Sequence, residues 1–300
     1  RLDEGKTVGL LEQKRRSSTL VAHARQSMSK HMLTWRNNAE ALMARGLVAS
    51  LSRNATAAKA DLQRALSLAP GNVDVLNMYG DVLMYSGALD EAMHLKQQAM
   101  TLDPLAFVHP LNISDILSMQ GRYEAAVEMA EQAVALGATR FGFERMFFAS
   151  LRAGRLQGAE IAMEKACVIS GSTGGICEAN QILLLVAKGD REQAQTQLEQ
   201  LVSDVDSGQR PIGIYTPSTL ASLFVDVSNI KRATAMHKRA LEQDDWFPTY
   251  SLVYAPGGAK LPEEVSDDPG WLAAWNDPRI ADLMMMYRQN LLAWRASQDN

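Results

Sequence analysis

The sequence is short of the residues from which most catalytic and metal sites are built. Only two of its 300 residues are cysteine and five are histidine, and the histidines show neither a His-Glu-x-x-His motif nor the Cys/His spacing of a zinc site. The stretches SGSTGG (170–175) and APGGAK (255–260) lack the spacing of a phosphate loop or a nucleophile elbow, so we interpret them as loops. We therefore expect no metal, no cofactor and no enzymatic activity, and an enzyme on a helical scaffold is the least favoured class.

Long apolar runs and an excess of one charge are missing too. The longest uninterrupted apolar run, 182–187, is far too short to cross a bilayer, and a net charge of −4 gives no basic field for nucleic acid. The chain begins without methionine and without an apolar leader, so we expect a mature form or an excised fragment. We predict no membrane insertion and no direct nucleic-acid binding by this segment. Its compartment, cytoplasm or periplasm, is left open.

What the sequence does have is a period of 34 residues, which separates Pro70 from Pro104. The same distance separates three pairs of small residues, namely Gly46 and Gly80, Ala58 and Ala92, and Ala65 and Ala99. Small residues are needed where two helices cross closely, and each proline would end the second helix of its unit. Gly87 and Gly121, again 34 apart, fit the turn between the helices, where positive φ is common. A helix–turn–helix repeat is therefore predicted.

The pattern continues with decay through further units, and about six fit into residues 39–245. This predicts an all-α, right-handed superhelical solenoid of antiparallel helix pairs. Around the array we predict capping helices over 1–38, a turn-rich surface loop over 246–276 and a C-terminal capping helix over 277–300.

Residues 39–245 resemble tetratricopeptide repeats. The best-matching positions are Leu42, Gly46, Ala58, Leu62, Ala65 and Pro70, then Leu76, Tyr79, Gly80, Ala92, Ala99 and Pro104. The run LDPLAFVHPLNISDILSMQGRYEAAVEMAEQAVAL resembles the divergent arrays found behind winged-helix DNA-binding domains or cyclase domains in bacterial signalling proteins. The closing WNDPRIADLMMMYRQNL is similar to the tail helix that often ends those arrays.

The resemblance implies that the first helices of successive units line a concave surface on which extended peptides lie. The register places seven polar residues on it: Asn77, Asp81 and Tyr85, then Asn112 and Asp115, then Arg145 and Arg152. Asparagine can hold a peptide backbone and arginine a carboxylate, although polar residues on such a wall are often only solvated. We expect a non-catalytic interaction or sensory scaffold for a protein or peptide, as a regulatory part of a bacterial signalling or transcription-regulator protein. The alternative is the small-molecule-sensing domain of a membrane signalling protein.

Two further features have two interpretations each. Cys167 and Cys177 flank a short predicted turn, and they form either a disulfide or two small buried apolar residues. The last helix has an apolar stripe that includes Ile280, Tyr287 and Leu291. This stripe either seals the last repeat or binds a partner, which includes a second copy of the chain in a homodimer.

Overall fold

The computed structural model describes residues 38–170, 176–210, 216–243, 245, 249–255 and 257–298. The capping helices predicted over 1–38 fall outside these residues, except for Asn38. The described part of the chain is helical and contains no strand, and its helices pack as consecutive antiparallel pairs. The predicted all-α solenoid is confirmed.

Among the described residues, six helix pairs form the array, and each pair is one repeat. The pairs are α1 (Ala39–Leu51) with α2 (Ala55–Leu68), α3 (Val73–Tyr85) with α4 (Leu89–Leu102), α5 (Val108–Met119) with α6 (Tyr123–Ala135), α7 (Thr139–Arg152) with α8 (Leu156–Ser170), α9 (Ile176–Ala187) with α10 (Arg191–Asp206), and α11 (Pro217–Asp226) with α12 (Ile230–Glu242).

Local signals begin and end these helices, and the prolines and turn glycines stand where the sequence predicts. The side chains of Asn38, Asn54 and Asn72 cap α1, α2 and α3 by accepting a hydrogen bond from the backbone N–H three residues later. The helices α2 and α4 stop just before the two prolines of the 34-residue period. Gly87 and Gly121 have φ values of 81° and 76° in the turns inside their repeats, where other residues would be strained.

The recurring small residues lie where the helices of a pair meet. Six alanines at this position, one in each repeat, have no exposed surface: Ala58, Ala92, Ala126, Ala159, Ala194 and Ala233. A Cβ atom on Gly46 would stand 2.7 Å from Cγ of Leu62, and one on Gly80 would stand 2.7 Å from Cε of Lys96. These glycines are therefore required by the side chain that crosses them from the second helix.

The segment after the array differs from the prediction of a surface loop. Its described residues form three short helices, α13 (Tyr250–Val253), α14 (Pro262–Val265) and α15 (Pro269–Trp275). Leu252 and Trp271 have no exposed surface, and α13 packs on α11 while α15 packs on α12. The many turn residues led us to predict a loop, but the apolar residues between them are buried against the array.

The last helix, α16 (Ala281–Gln298), follows a 3₁₀ turn at Pro278–Ile280. Its stripe is buried as expected, with Tyr287 and Leu291 at no exposure, but its position differs from the prediction. It packs on α2 and α4 of the first two repeats rather than on the last one. Asn290 donates to the backbone oxygen of Ser86 over 2.9 Å, so α16 lies across the turns inside the repeats. Homodimer formation through this helix stays a prediction, for which its exposed Met285 and Leu292 would be available.

Candidate functional site

The first helices of repeats two to six are α3, α5, α7, α9 and α11, and residues of all five line one cavity. We call the surface that they form the inner wall. Of the seven residues predicted to bind a partner, Tyr85, Asp115, Arg145 and Arg152 lie around one cavity in this wall. Asn77, Asp81 and Asn112 form a separate cluster nearby. The two groups differ in their contacts.

The separate cluster is organised by a lysine that the sequence interpretation missed. Nζ of Lys96, on α4, donates to the backbone oxygen and the Oδ1 of Asn77, each at 2.7 Å, and to Oδ1 of Asp81 at 2.5 Å. Nδ2 of Asn112 also donates to Oδ1 of Asn77, over 2.8 Å. Burial lowers the pKa of Lys96, and Asp81 opposes that shift. The polar atoms of this cluster are therefore largely occupied with one another.

The two arginines of α7 are paired with carboxylates of the wall. Arg145 forms a bidentate pair with Asp115, with N–O distances of 3.1 and 3.0 Å, and Arg152 donates to Oδ1 of Asp226 over 2.7 Å. Burial opposes the charge on Arg145, but the acidic groups around it, Asp115 first among them and then Tyr254 and Glu144, together raise the pKa of the guanidinium. Burial also raises the pKa of Asp226, and Arg152 counteracts this rise. A partner carboxylate would have to share these guanidinium groups with the wall.

The chain's own C-terminal segment covers part of the inner wall. Residues 249–255 and 257–261 lie there. Tyr254 hydrogen-bonds Tyr85, and the amide of Ala259 donates to the carbonyl of Met119 over 2.8 Å. Val253 has no exposed surface. Burial raises the pKa of Tyr250 to about 12. The position at which peptides were expected is therefore occupied by residues of this chain.

Between the wall and this segment lies a cavity of about 260 Å³. Its lining combines ion pairs, hydroxyl groups and apolar side chains, with Phe148, Leu183 and Leu223 among the last. Asn180, on α9, also lines it and has no exposed surface. Neither amide atom of Asn180 has a hydrogen-bond partner among the described residues.

Other parts of the predicted chemistry lie away from the wall. Cys167 on α8 and Cys177 on α9 are joined in a disulfide, with their Cα atoms 5.5 Å apart, so the bond links repeats four and five. Within the described residues, no group of three or more His, Cys, Asp or Glu side chains is placed to hold a metal ion. No described helix has both the length and the apolar content that a membrane span requires.

Comparisons with known proteins agree with this architecture. The family model of the tetratricopeptide repeat matches residues 39–72. The crystal structure of PilW, a type IV pilus biogenesis factor, aligns at 19% identity with a TM-score of 0.56, over 69% of this chain and 94% of that one. The hetero-tetramer Cut9–Hcn1 of APC/C aligns at 13% identity with a TM-score of 0.54, over 90% of this chain and 45% of that one. No curated protein matches the sequence.

Proposed function

Because the chain is folded as a tetratricopeptide-repeat array, a fold that supports protein–protein interaction, we propose that it is a non-catalytic scaffold that binds a segment of a partner protein along its inner wall. One observation carries the proposal. The wall already holds a polypeptide segment, residues 249–255 and 257–261, through buried side chains and the hydrogen bond from Ala259 to Met119. A segment of another protein with similar chemistry can make the same contacts.

The ion pairs of the wall shape how a partner would bind. Arg145 and Arg152 have partners within the chain, so the proposed role of the seven predicted residues is to present a prearranged polar surface. A partner must also displace the C-terminal segment. Because the wall is open in only a small fraction of the molecules, the apparent affinity for the partner is lower than the affinity of the open wall.

A labelled peptide with the sequence of residues 249–265 tests the proposal. Tyr254→Ala removes a partly buried ring and its hydrogen bond to Tyr85. This weakens the docking of the chain's own segment and exposes the wall more often. We expect fluorescence anisotropy to show at least about tenfold tighter binding to this variant than to the wild type. Met285→Ala, at an exposed position of α16, is the control and should bind like the wild type. The absence of binding to all three proteins would reject the proposal.

The regulatory role expected from the sequence belongs to the same proposal. Displacement of the C-terminal segment would carry an event at the inner wall to the end of the chain, as a part of a bacterial signalling or transcription-regulator protein requires. The alternative, sensing of a small molecule, is favoured by the cavity beside Asn180.

A further inference from the structure

The amide of Asn180 is the least satisfied polar group of the cavity. Its donor and its acceptor are both buried and without a partner among the described residues. An amide buried in this way costs free energy, which a partner in the cavity would recover. Ser222 and Thr219 of α11 also line the cavity, so further hydroxyl groups are at hand.

The charges of the lining show which ligands fit poorly. Three carboxylates and two guanidinium groups face the cavity. Asp115 pairs with Arg145 and Asp226 with Arg152, while Glu144 accepts from Arg140 over 3.0 Å. Within the described residues, every charged group of the lining therefore has a counter-charge. A ligand with a net charge would therefore enter the cavity without a counter-charge to pair with.

The size and the apolar part of the lining narrow the choice further. Pockets for drug-sized ligands span about 300–1,000 Å³, so a cavity of about 260 Å³ suits a single ring. The side chains of Phe148, Leu183 and Leu223 provide apolar surface for such a ring. Leu183 stands one helical turn after Asn180 on α9 and shares its face.

We infer that the cavity is a binding site for an uncharged, single-ring molecule that carries an amide-type donor and acceptor side by side. Because the amide of Asn180 has no exposed surface, binding requires this side chain to turn toward the cavity. The donor and acceptor of the ligand then pair with its two amide atoms, and the ring lies against the apolar lining. Val253, Tyr254 and Ala255 of the C-terminal segment form one side of the site. The inference goes beyond the binding of a protein partner and does not depend on it.

Two small probes and one variant test the inference on the full chain. Benzamide has the ring and the amide, and benzoate has the same size but a negative charge. We expect isothermal titration calorimetry to show binding of benzamide at millimolar concentration, and at least about tenfold weaker binding of benzoate. Asn180→Leu keeps the shape of the side chain and removes both polar atoms, so benzamide should bind at least about tenfold more weakly to it.

The same variant separates lost binding from lost structure. Because it removes an unsatisfied buried amide, Asn180→Leu should have a higher melting temperature than the wild type without probe. Asn276→Leu, at an exposed asparagine outside the cavity, should bind benzamide like the wild type. Three results would overturn the inference: no binding of benzamide to the wild type, as expected if water alone satisfies Asn180; binding of benzoate as tight as that of benzamide; or unchanged binding of benzamide to Asn180→Leu.

Discussion

The ammonium group of Lys96 and the carboxylate of Asp81 lie 2.5 Å apart on the two helices of the second repeat. Lys96 stands 34 residues after Leu62 and occupies the same place, since its stem crosses Gly80 as Leu62 crosses Gly46. The side chain of Lys96 is fully buried, and its amine reaches Asn77 and Asp81 on the first helix of the repeat. The position that holds a packed leucine in the first repeat thus holds a lysine in the second, and this lysine forms polar contacts with the inner wall.

Lys96→Leu should destabilise the protein, because Asp81 and Asn77 lose their cationic donor. Hydrogen bonds to charged groups contribute about 1.5–3 kcal/mol, and the 39% exposure of the Asp81 side chain places the loss near the lower end. In the background of Asp81→Asn the same substitution should cost less, because no carboxylate is then left unpaired. Urea unfolding of the four proteins gives the coupling energy. An equal cost in both backgrounds would mean that the ion pair does not contribute.

Gly80→Leu should overpack the second repeat. The stem of Lys96 occupies the space that a side chain would need, and its three hydrogen bonds prevent an easy shift. The expected cost is about 1–3 kcal/mol or more, seen as a lower midpoint in melting followed by circular dichroism. Gly71→Leu is the matched control, because nothing lies within 4 Å of the Cβ position at Gly71. An unchanged midpoint for Gly80→Leu would contradict the packing described above.

The bond between Cys167 and Cys177 should be detectable in solution. Intact mass should lie two hydrogens below that of the reduced chain. Reductant should lower the melting temperature, since a loop of this size stabilises by about 3 kcal/mol. In a Cys167→Ser, Cys177→Ser double variant the melting temperature should not respond to reductant. Two thiols that are readily alkylated in the folded, non-reduced protein would exclude the bond.

His237 should make the protein less stable in mild acid. Its ring stacks on Trp275 with centroids 3.9 Å apart, and burial lowers its pKa to about 4, against a smaller opposing contribution from the backbone of Ala274. The unfolded chain takes up this proton near pH 6.5. The contribution of neutral His237 to the free energy of unfolding is therefore fully present above pH 6.5 and is lost progressively as the pH falls toward 4. The loss is on the order of 3 kcal/mol for this group. His237→Phe keeps an aromatic ring and should show a flatter dependence of unfolding free energy on pH between 4 and 6.5; an unchanged slope would assign the loss to other groups.

The array could be predicted because its signals are local and repeated. The positions of Pro70 and Pro104, the turn glycines and the buried alanines each depend on one helix pair, and the same pair recurs. A residue such as Ala92 is buried for the same reason as Ala58, so one repeat predicts the next.

The C-terminal segment and the cavity could not be predicted in this way. Trp294 donates to Asp90 over 3.0 Å, but 204 residues separate them, and no period links such distant parts of the chain. The pairing of Arg152 with Asp226 spans 74 residues for the same reason. Nothing in the sequence distinguishes Asn180 from other asparagines. It becomes unusual only in the structure, where its amide is buried without a hydrogen-bond partner among the described residues.

The path of the C-terminal segment alters how the stack of repeats is held together. In a linear stack each repeat touches only its neighbours, so the end repeats can fray and the rest can remain folded. Here α15 is packed on the last repeat and α16 on the first two, and Arg53 of the first repeat donates to the carbonyl of Asp245 beyond the last over 3.4 Å. The C-terminal segment thereby connects the first repeats of the array with the last one. Loosening at either end breaks contacts at the other, so the six repeats gain a cooperativity that nearest-neighbour packing alone does not supply.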